Sequence, residues 1–161
     1  MASVDGEQQI VANGIVHWCR VAGTGNDPGP LVIIHGGPGG NNYVFERTIG
    51  PRLEAFATVV YYEQRGCGRS GSPDDPHSYS MPLLVADLDE LRRALGLERV
   101  VPFGYSFGAE LAAEYALAHP THVSGLILQA LSVRDRNAHA RTQLDAFLNL
   151  SSGTTRERIA R

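Results

Sequence analysis

The sequence predicts an α/β domain, a mostly parallel sheet with helices on both faces. Three observations predict it. Leu31-Val32-Ile33-Ile34 and Thr58-Val59-Val60-Tyr61-Tyr62 are short apolar runs without alternation, as strands covered on both faces require. Helical patterns stand between such runs; in the clearest, Ser80 to Leu95, Leu84, Leu88, Leu91 and Leu95 form one stripe. Finally, Gly104-Tyr105-Ser106-Phe107-Gly108 joins the run Val100-Val101-Pro102-Phe103 to a helical pattern from Ala109 to His119, stopped by Pro120. A serine therefore sits on a sharp turn between a strand and a helix.

The other elements follow in chain order. Gln9-Ile10-Val11 and Ile15 to Val21 flank Asn13-Gly14, a dipeptide that accepts the positive φ angles of a hairpin turn. His17 alternates with apolar neighbours and belongs to a strand face. Residues 22 to 30 form a surface turn. Tyr43 to Phe56 is loosely helical. In the helix from Ser80, the serine is the N-cap and Gly96 the stop, while Asp87, Asp89, Glu90, Arg92 and Arg93 lie off the leucine stripe as a solvated face. Val123 to Leu131 is a further buried strand, and His119 and His122 at its approach are assigned capping or surface roles. Arg134 to Arg161 is polar and Ala/Arg-rich, with Leu144, Phe147, Leu148 and Leu150 as anchors. It reads as a helix, a turn at 151 to 153 and a second helix.

Composition narrows the class. The 161 residues are 43% hydrophobic with a formal net charge of −3, which suits a globular core and gives no electrostatic reason to expect nucleic acid or a membrane surface as partner. The polar start MASVDGEQQ is no secretory signal, and no apolar run approaches the roughly 18 residues of a membrane span. Two cysteines, Cys19 and Cys67, make no disulfide framework and suit a reducing, cytoplasmic compartment. Cys67 has no base beside it and reads as a free thiol near the site, not a nucleophile.

The chemistry begins at Ser106. Side chains two before and two after it would collide with the neighbouring strand and helix, hence Gly104 and Gly108. The Phe107 N–H then points where a tetrahedral oxyanion forms. Upstream, His35-Gly36-Gly37-Pro38-Gly39-Gly40 holds four glycines in six residues directly after a strand. Such a loop exposes main-chain N–H groups to close approach, and it lacks the Lys-Ser/Thr ending of a phosphate cradle. It is expected to form the oxyanion hole, with the Gly37 N–H as second donor. The charged glycine-rich loop from Glu63 to Gly71 follows the C-terminal end of a strand, where ligands bind in open α/β sheets. His35, Gly36, Pro38, Glu63, Arg65 and Tyr105 are expected to line the pocket.

Taken together, the elbow serine, the glycine loop and the strand–helix alternation describe an α/β-hydrolase. His35-Gly-Gly-Pro-Gly-Gly40, Gln64-Arg-Gly-Cys-Gly-Arg-Ser70 and Gly104-Tyr-Ser-Phe-Gly108 resemble, in order and spacing, the signatures of the prolyl aminopeptidase (proline iminopeptidase) branch. The resemblance runs from about Ile10 to about Leu131. It implies a serine hydrolase that releases an N-terminal residue from short peptides through an acyl-enzyme, with no metal or organic cofactor. Two motifs depart from the branch. Glu63 stands where the family usually has Asp, and Tyr105 and Phe107 replace the Gly and Trp of strict prolyl aminopeptidases. An esterase or amidase on other small acyl substrates is the nearest alternative, and a non-catalytic, truncated remnant acting as a binding module is the alternative of another class.

A serine nucleophile needs a histidine and an orienting acid, which in this fold follow it in the order acid, then histidine. Asp135 is one candidate for the acid; His139, only four residues on, is badly placed to reach a separate loop. Chains of the resembled family run to roughly twice this length. Residues 1–133 are therefore expected to be the N-terminal part of the core and 134–161 the start of a helical cap. The acid and histidine are then expected on a second chain carrying the C-terminal half, since a lone half would expose the apolar strand at Val123 to Leu131.

Overall fold

The computed structural model describes residues 6–25 and 29–131. They form a six-stranded sheet in the order β1-β2-β4-β3-β5-β6, with β1 Gly6–Ala12, β2 Ile15–Ala22, β3 Leu31–Ile34, β4 Val59–Tyr62, β5 Val101–Tyr105 and β6 Ile127–Gln129. The hairpin β1–β2 is antiparallel, and β2 pairs antiparallel with β4. The other pairings, β4–β3, β3–β5 and β5–β6, are parallel. Asn13 and Gly14 turn the hairpin with φ of 49° and 79°, the positive pair that matches the twist of the two strands.

The strands without alternation are the buried ones. Along β3, Val32 and Ile34 join one apolar cluster while Leu31 and Ile33 join the other, so both faces of the sheet are covered. Helices α3 (Met81–Ala94) and α4 (Phe107–Ala118) cover the first face through Leu84, Leu88, Leu91, Leu111 and Tyr115. Short helices α1 (Tyr43–Arg47) and α2 (Gly50–Glu54) bring Phe45 and Leu53 to the second. Each fully buried Leu or Tyr here contributes roughly 1.5–3 kcal/mol of apolar transfer. Ser80 caps α3 by position, accepting from the Leu84 N–H through its carbonyl at 3.0 Å, but its hydroxyl makes no cap bond. No helix among the described residues is long and apolar enough to cross a membrane.

Two expectations need correction. Val123 to Leu131 is not a long buried strand. Only Ile127–Gln129 is a strand, with one bridge from Val123 to Val100, and Leu126, Ile127 and Leu128 are 37–42% exposed. The physical reason is position: among the described residues β6 is the last strand of the sheet and pairs with β5 alone, so its apolar side chains are covered on one side only. Nor is the polar side of α3 a solvated face throughout. Asp87 is fully buried and Asp89 half-buried. The expected helix–turn–helix over 134–161, with Asp135 and His139, lies outside the described residues.

Candidate active site

Ser106 stands between β5 and α4 with φ 53° and ψ −119°, a backbone conformation that disfavours any side chain. Its surroundings force it. A Cβ on Gly104 would sit 2.5 Å from the Ala109 Cα, and one on Gly108 would sit 2.6 Å from the His35 carbonyl oxygen. Strand, turn and helix thus approach to backbone contact, and the chain reverses within the single residue between them. The Ser106 N–H donates to Gln129 O at 2.9 Å, and the Ala109 N–H donates to Ser106 O at 2.8 Å. Both ends of the bend are held. Ser106 is half-buried and is the N-cap of α4, whose positive dipole end favours negative charge beside it.

Alanine at Gly108 must push backbone aside, since the obstructing atoms are carbonyl groups of Ile34 and His35. Gly108→Ala is expected to destabilise by about 2–3 kcal/mol, read as a lower urea midpoint with unchanged slope.

The glycine loop lies directly against this bend. A Cβ on Gly36 would meet the Tyr105 ring at 3.0 Å and the Ser106 Cβ at 3.1 Å. Gly37, Pro38 and Gly39 are exposed, as is Tyr105 at 42%. Tyr105 packs edge-on against Phe45, ring centroids 5.9 Å apart. His35 anchors the loop from below. Its side chain is buried, Nδ1 is 2.8 Å from Gly36 O, and Nε2 faces the Gln64 N–H at 3.3 Å. With Nδ1–H donating and Nε2 accepting, both nitrogens of a neutral ring are used. Gln64 Nε2 also donates to His35 O at 2.9 Å. Burial pushes the His35 imidazole below its usual range, and its bond to the Gly36 carbonyl only partly opposes this. The folded state therefore binds this proton less well than the unfolded chain. Stability is expected to fall as pH drops below about 6.5, and His35→Gln should remove that part of the slope in denaturant titrations.

Glu63 and Arg65, expected at the pocket, turn inward. Glu63 is fully buried and Oε1 accepts from the Asn42 N–H at 3.2 Å and from Arg69 Nη2 at 2.7 Å. Arg69 also donates to Glu46 on α1 and lies over the Trp18 ring, 3.1 Å from its centroid. Burial alone would raise the Glu63 carboxyl, but bonds from Arg69 and Asn42 outweigh it and hold it below the usual range. Arg65 gives Nε and Nη2 to the two oxygens of Asp87 at 2.6 and 2.7 Å, and Nη1 to Ser78 O at 2.8 Å. Asn13 Nδ2 donates to Asp87 Oδ1 at 2.9 Å, and His17 Nε2 lies 3.4 Å from Oδ2. The loop after β4 is thus bolted to α3 and to the hairpin turn.

Sequence reasoning missed Asp87, Asn13, His17 and Asn42 in these roles. A signal existed for Asp87. At 100° per residue it falls about 70° from the middle of the leucine stripe, inside the buried arc of an amphipathic helix. Cys67 is a buried free thiol, pushed up by burial, in keeping with an inert cysteine.

Beyond this geometry, a family model described as the alpha/beta hydrolase fold matches residues 29–160. The chain belongs to the α/β-hydrolase family. Within it, this hydrolase is similar to the proline iminopeptidase of Lactobacillus delbrueckii subsp. lactis, 35% identical over 116 residues, covering 70% of this chain and 40% of that one. The proline iminopeptidase of Lactiplantibacillus plantarum is 32% identical over 153 residues, covering 91% and 53%. Among solved structures, the proline iminopeptidase-related protein of Thermus thermophilus is 35% identical with a TM-score of 0.70, over 77% of this chain and 44% of that one. The chain thus spans about half the length of the relatives it matches. The resemblance to the proline iminopeptidase branch, first carried by three motifs, extends through these alignments.

Proposed function

We propose that this chain carries the nucleophile and oxyanion hole of a serine hydrolase of the prolyl aminopeptidase type. The observation that supports it most is the strained Ser106, φ 53°, pressed against the Gly36-Gly37 loop. Strain of this kind persists where the surrounding structure enforces it, and it clusters at reactive groups. In this reading Ser106 Oγ loses its proton to a histidine and bonds to the acyl carbon. The carbonyl oxygen becomes an oxyanion facing the N–H groups of Gly37 and Phe107. Collapse breaks the bond to the leaving amine, which takes the proton back, and a water deprotonated by the same histidine hydrolyses the ester.

Of the pocket residues, Gly36, Pro38 and Tyr105 face the substrate, while His35, Glu63 and Arg65 hold the loops in place. His35 is no substitute for the missing base, since both its nitrogens are engaged. The acid and the histidine come from outside the described residues, and the intact mass of the purified material reads whether a second polypeptide supplies them. The substrate is a short peptide with a free N-terminus. Glu63 is already held by Arg69 and Asn42, so recognition of that amine also falls to residues outside the described set. An esterase or amidase on other small acyl substrates needs no amine-binding carboxylate and is the second reading.

A fluorophosphonate probe tests the proposal. A covalent adduct on Ser106, located by peptide mass and absent in Ser106→Ala, is the expected result; a folded sample that takes no adduct points to the non-catalytic remnant. Prolyl and acyl-ester chromogenic substrates then separate the two enzymatic readings.

A further inference from the structure

At the other end of α4 a second cluster of chemistry-bearing side chains has no part in the elbow. One nitrogen of His119, one of His122 and one carboxylate oxygen of Asp89 lie within 4.8 Å of one another, all three residues half-buried. Asp89 comes from α3, His119 is the C-cap of α4, and His122 ends the turn that leads towards β6. The helix between Ser106 and His119 puts the cluster roughly 18 Å from the serine at 1.5 Å per residue. It is therefore separate from the candidate active site.

The bonding pattern leaves ligand capacity. Asp89 Oδ1 accepts from Arg92 Nε at 2.8 Å, from Tyr115 OH at 3.0 Å and from His122 Nδ1 at 2.9 Å. All three bonds fall on one oxygen. A cation that replaces the proton shared by His122 Nδ1 and Asp89 Oδ1, 2.9 Å apart, makes ligands of both atoms. The His119 ring stacks on His122, centroids 5.4 Å apart and planes 9° apart, and lies tilted against Tyr115 at 5.1 Å. In a tetrahedral site with bonds near 2.0 Å, donor atoms stand about 3.3 Å apart. The three donor atoms already stand within 4.8 Å of one another with no ion bound.

We propose that Asp89, His119 and His122 form a binding site for a divalent transition ion of the zinc class, bracing α3 against the turn that launches β6. Two nitrogens and one carboxylate suit Zn²⁺, Co²⁺ or Ni²⁺ better than Mg²⁺ or Ca²⁺, which prefer oxygen donors. The Arg92 guanidinium shares the carboxylate and opposes an incoming cation, so the site binds reversibly and does not hold a permanent structural metal.

The experiment uses the full chain without an affinity tag, stripped with chelator and titrated with Zn²⁺ by calorimetry, with Co²⁺ absorption as a second readout. One equivalent is expected to bind, to raise the melting temperature, and to give a visible Co²⁺ band. His119→Ala, whose ring makes no hydrogen bond among the described residues, should lower the affinity at least tenfold with an unchanged far-ultraviolet spectrum. His122→Ala should do the same, while His77→Ala, on the exposed turn before α3, should not. Absence of saturable binding in the unaltered chain overturns the proposal. So does binding that survives both His119→Ala and His122→Ala.

Discussion

Asp87→Ala is expected to lower the stability of this hydrolase by about 3–5 kcal/mol, the cost of leaving a buried partner charge uncompensated. Arg65 is 3% exposed at the side chain and commits two of its nitrogens to that carboxylate. Removing the acid leaves the guanidinium with the Ser78 carbonyl, 2.8 Å away, as its one remaining hydrogen-bond acceptor among the described residues. The double variant Arg65→Met/Asp87→Leu should lose less than Asp87→Ala alone, because apolar groups of similar volume carry no desolvation debt. Urea midpoints of the three proteins decide this, and a double variant weaker than the single would contradict it. The pair also sets a pH window. Burial pushes the Asp87 carboxyl up, but the groups of His17, Arg65 and Asn13 around it prevail and hold it below its usual range. Its folded pKa is therefore depressed. The stabilisation is present above the unfolded value near 3.9 and is lost as pH falls through the folded one. Acid unfolding should steepen below about pH 4, and Asp87→Asn should flatten that limb.

Ser106→Gly is expected to move stability and reactivity in opposite directions. With φ at 53° and ψ at −119°, a residue without Cβ removes strain of about 1 kcal/mol net of its own entropy cost. The thermal midpoint should rise accordingly. With Ser106 as the proposed nucleophile, acyl transfer by the assembled enzyme should fall by a factor on the order of 10⁶. Ser106→Ala separates the two effects: it keeps the Cβ and the strain, so its stability should track the unaltered chain while its reactivity is equally lost. A Gly variant no more stable than the Ala variant would mean that the bend is unstrained, and the case for a preorganised nucleophile would weaken with it.

The two α3 acids mark where the sequence stopped being informative. The leucine stripe is legible because apolar transfer acts on every residue of a helix face and leaves a period. Asp87 is marked only by its place beside that stripe, which does not say what meets its charge, and Asp89 carries no mark at all. Their burial depends on Arg65, Asn13 and His17 in one case, and on Arg92, Tyr115 and His122 in the other. Those partners lie up to 74 positions away in the chain. Similarly, Glu63 and Arg65 sit in a loop whose composition suits a ligand site, yet their charges are met from within by Arg69 and Asp87.

Local rules were enough for strands β1 to β5, the hairpin turn, the leucine helix and the serine bend, since each rests on sterics or apolar period within a few residues. Asn13-Gly14, the unbroken apolar β3 and the flanking glycines of Ser106 all carry their geometry in their own identities. Tertiary structure alone decided which charges are struts, which face water, and that the apolar β6 pairs with a single strand among the described residues. The reason is that desolvation of a charge is settled by the distant groups that replace its water, and no short stretch of chain contains them.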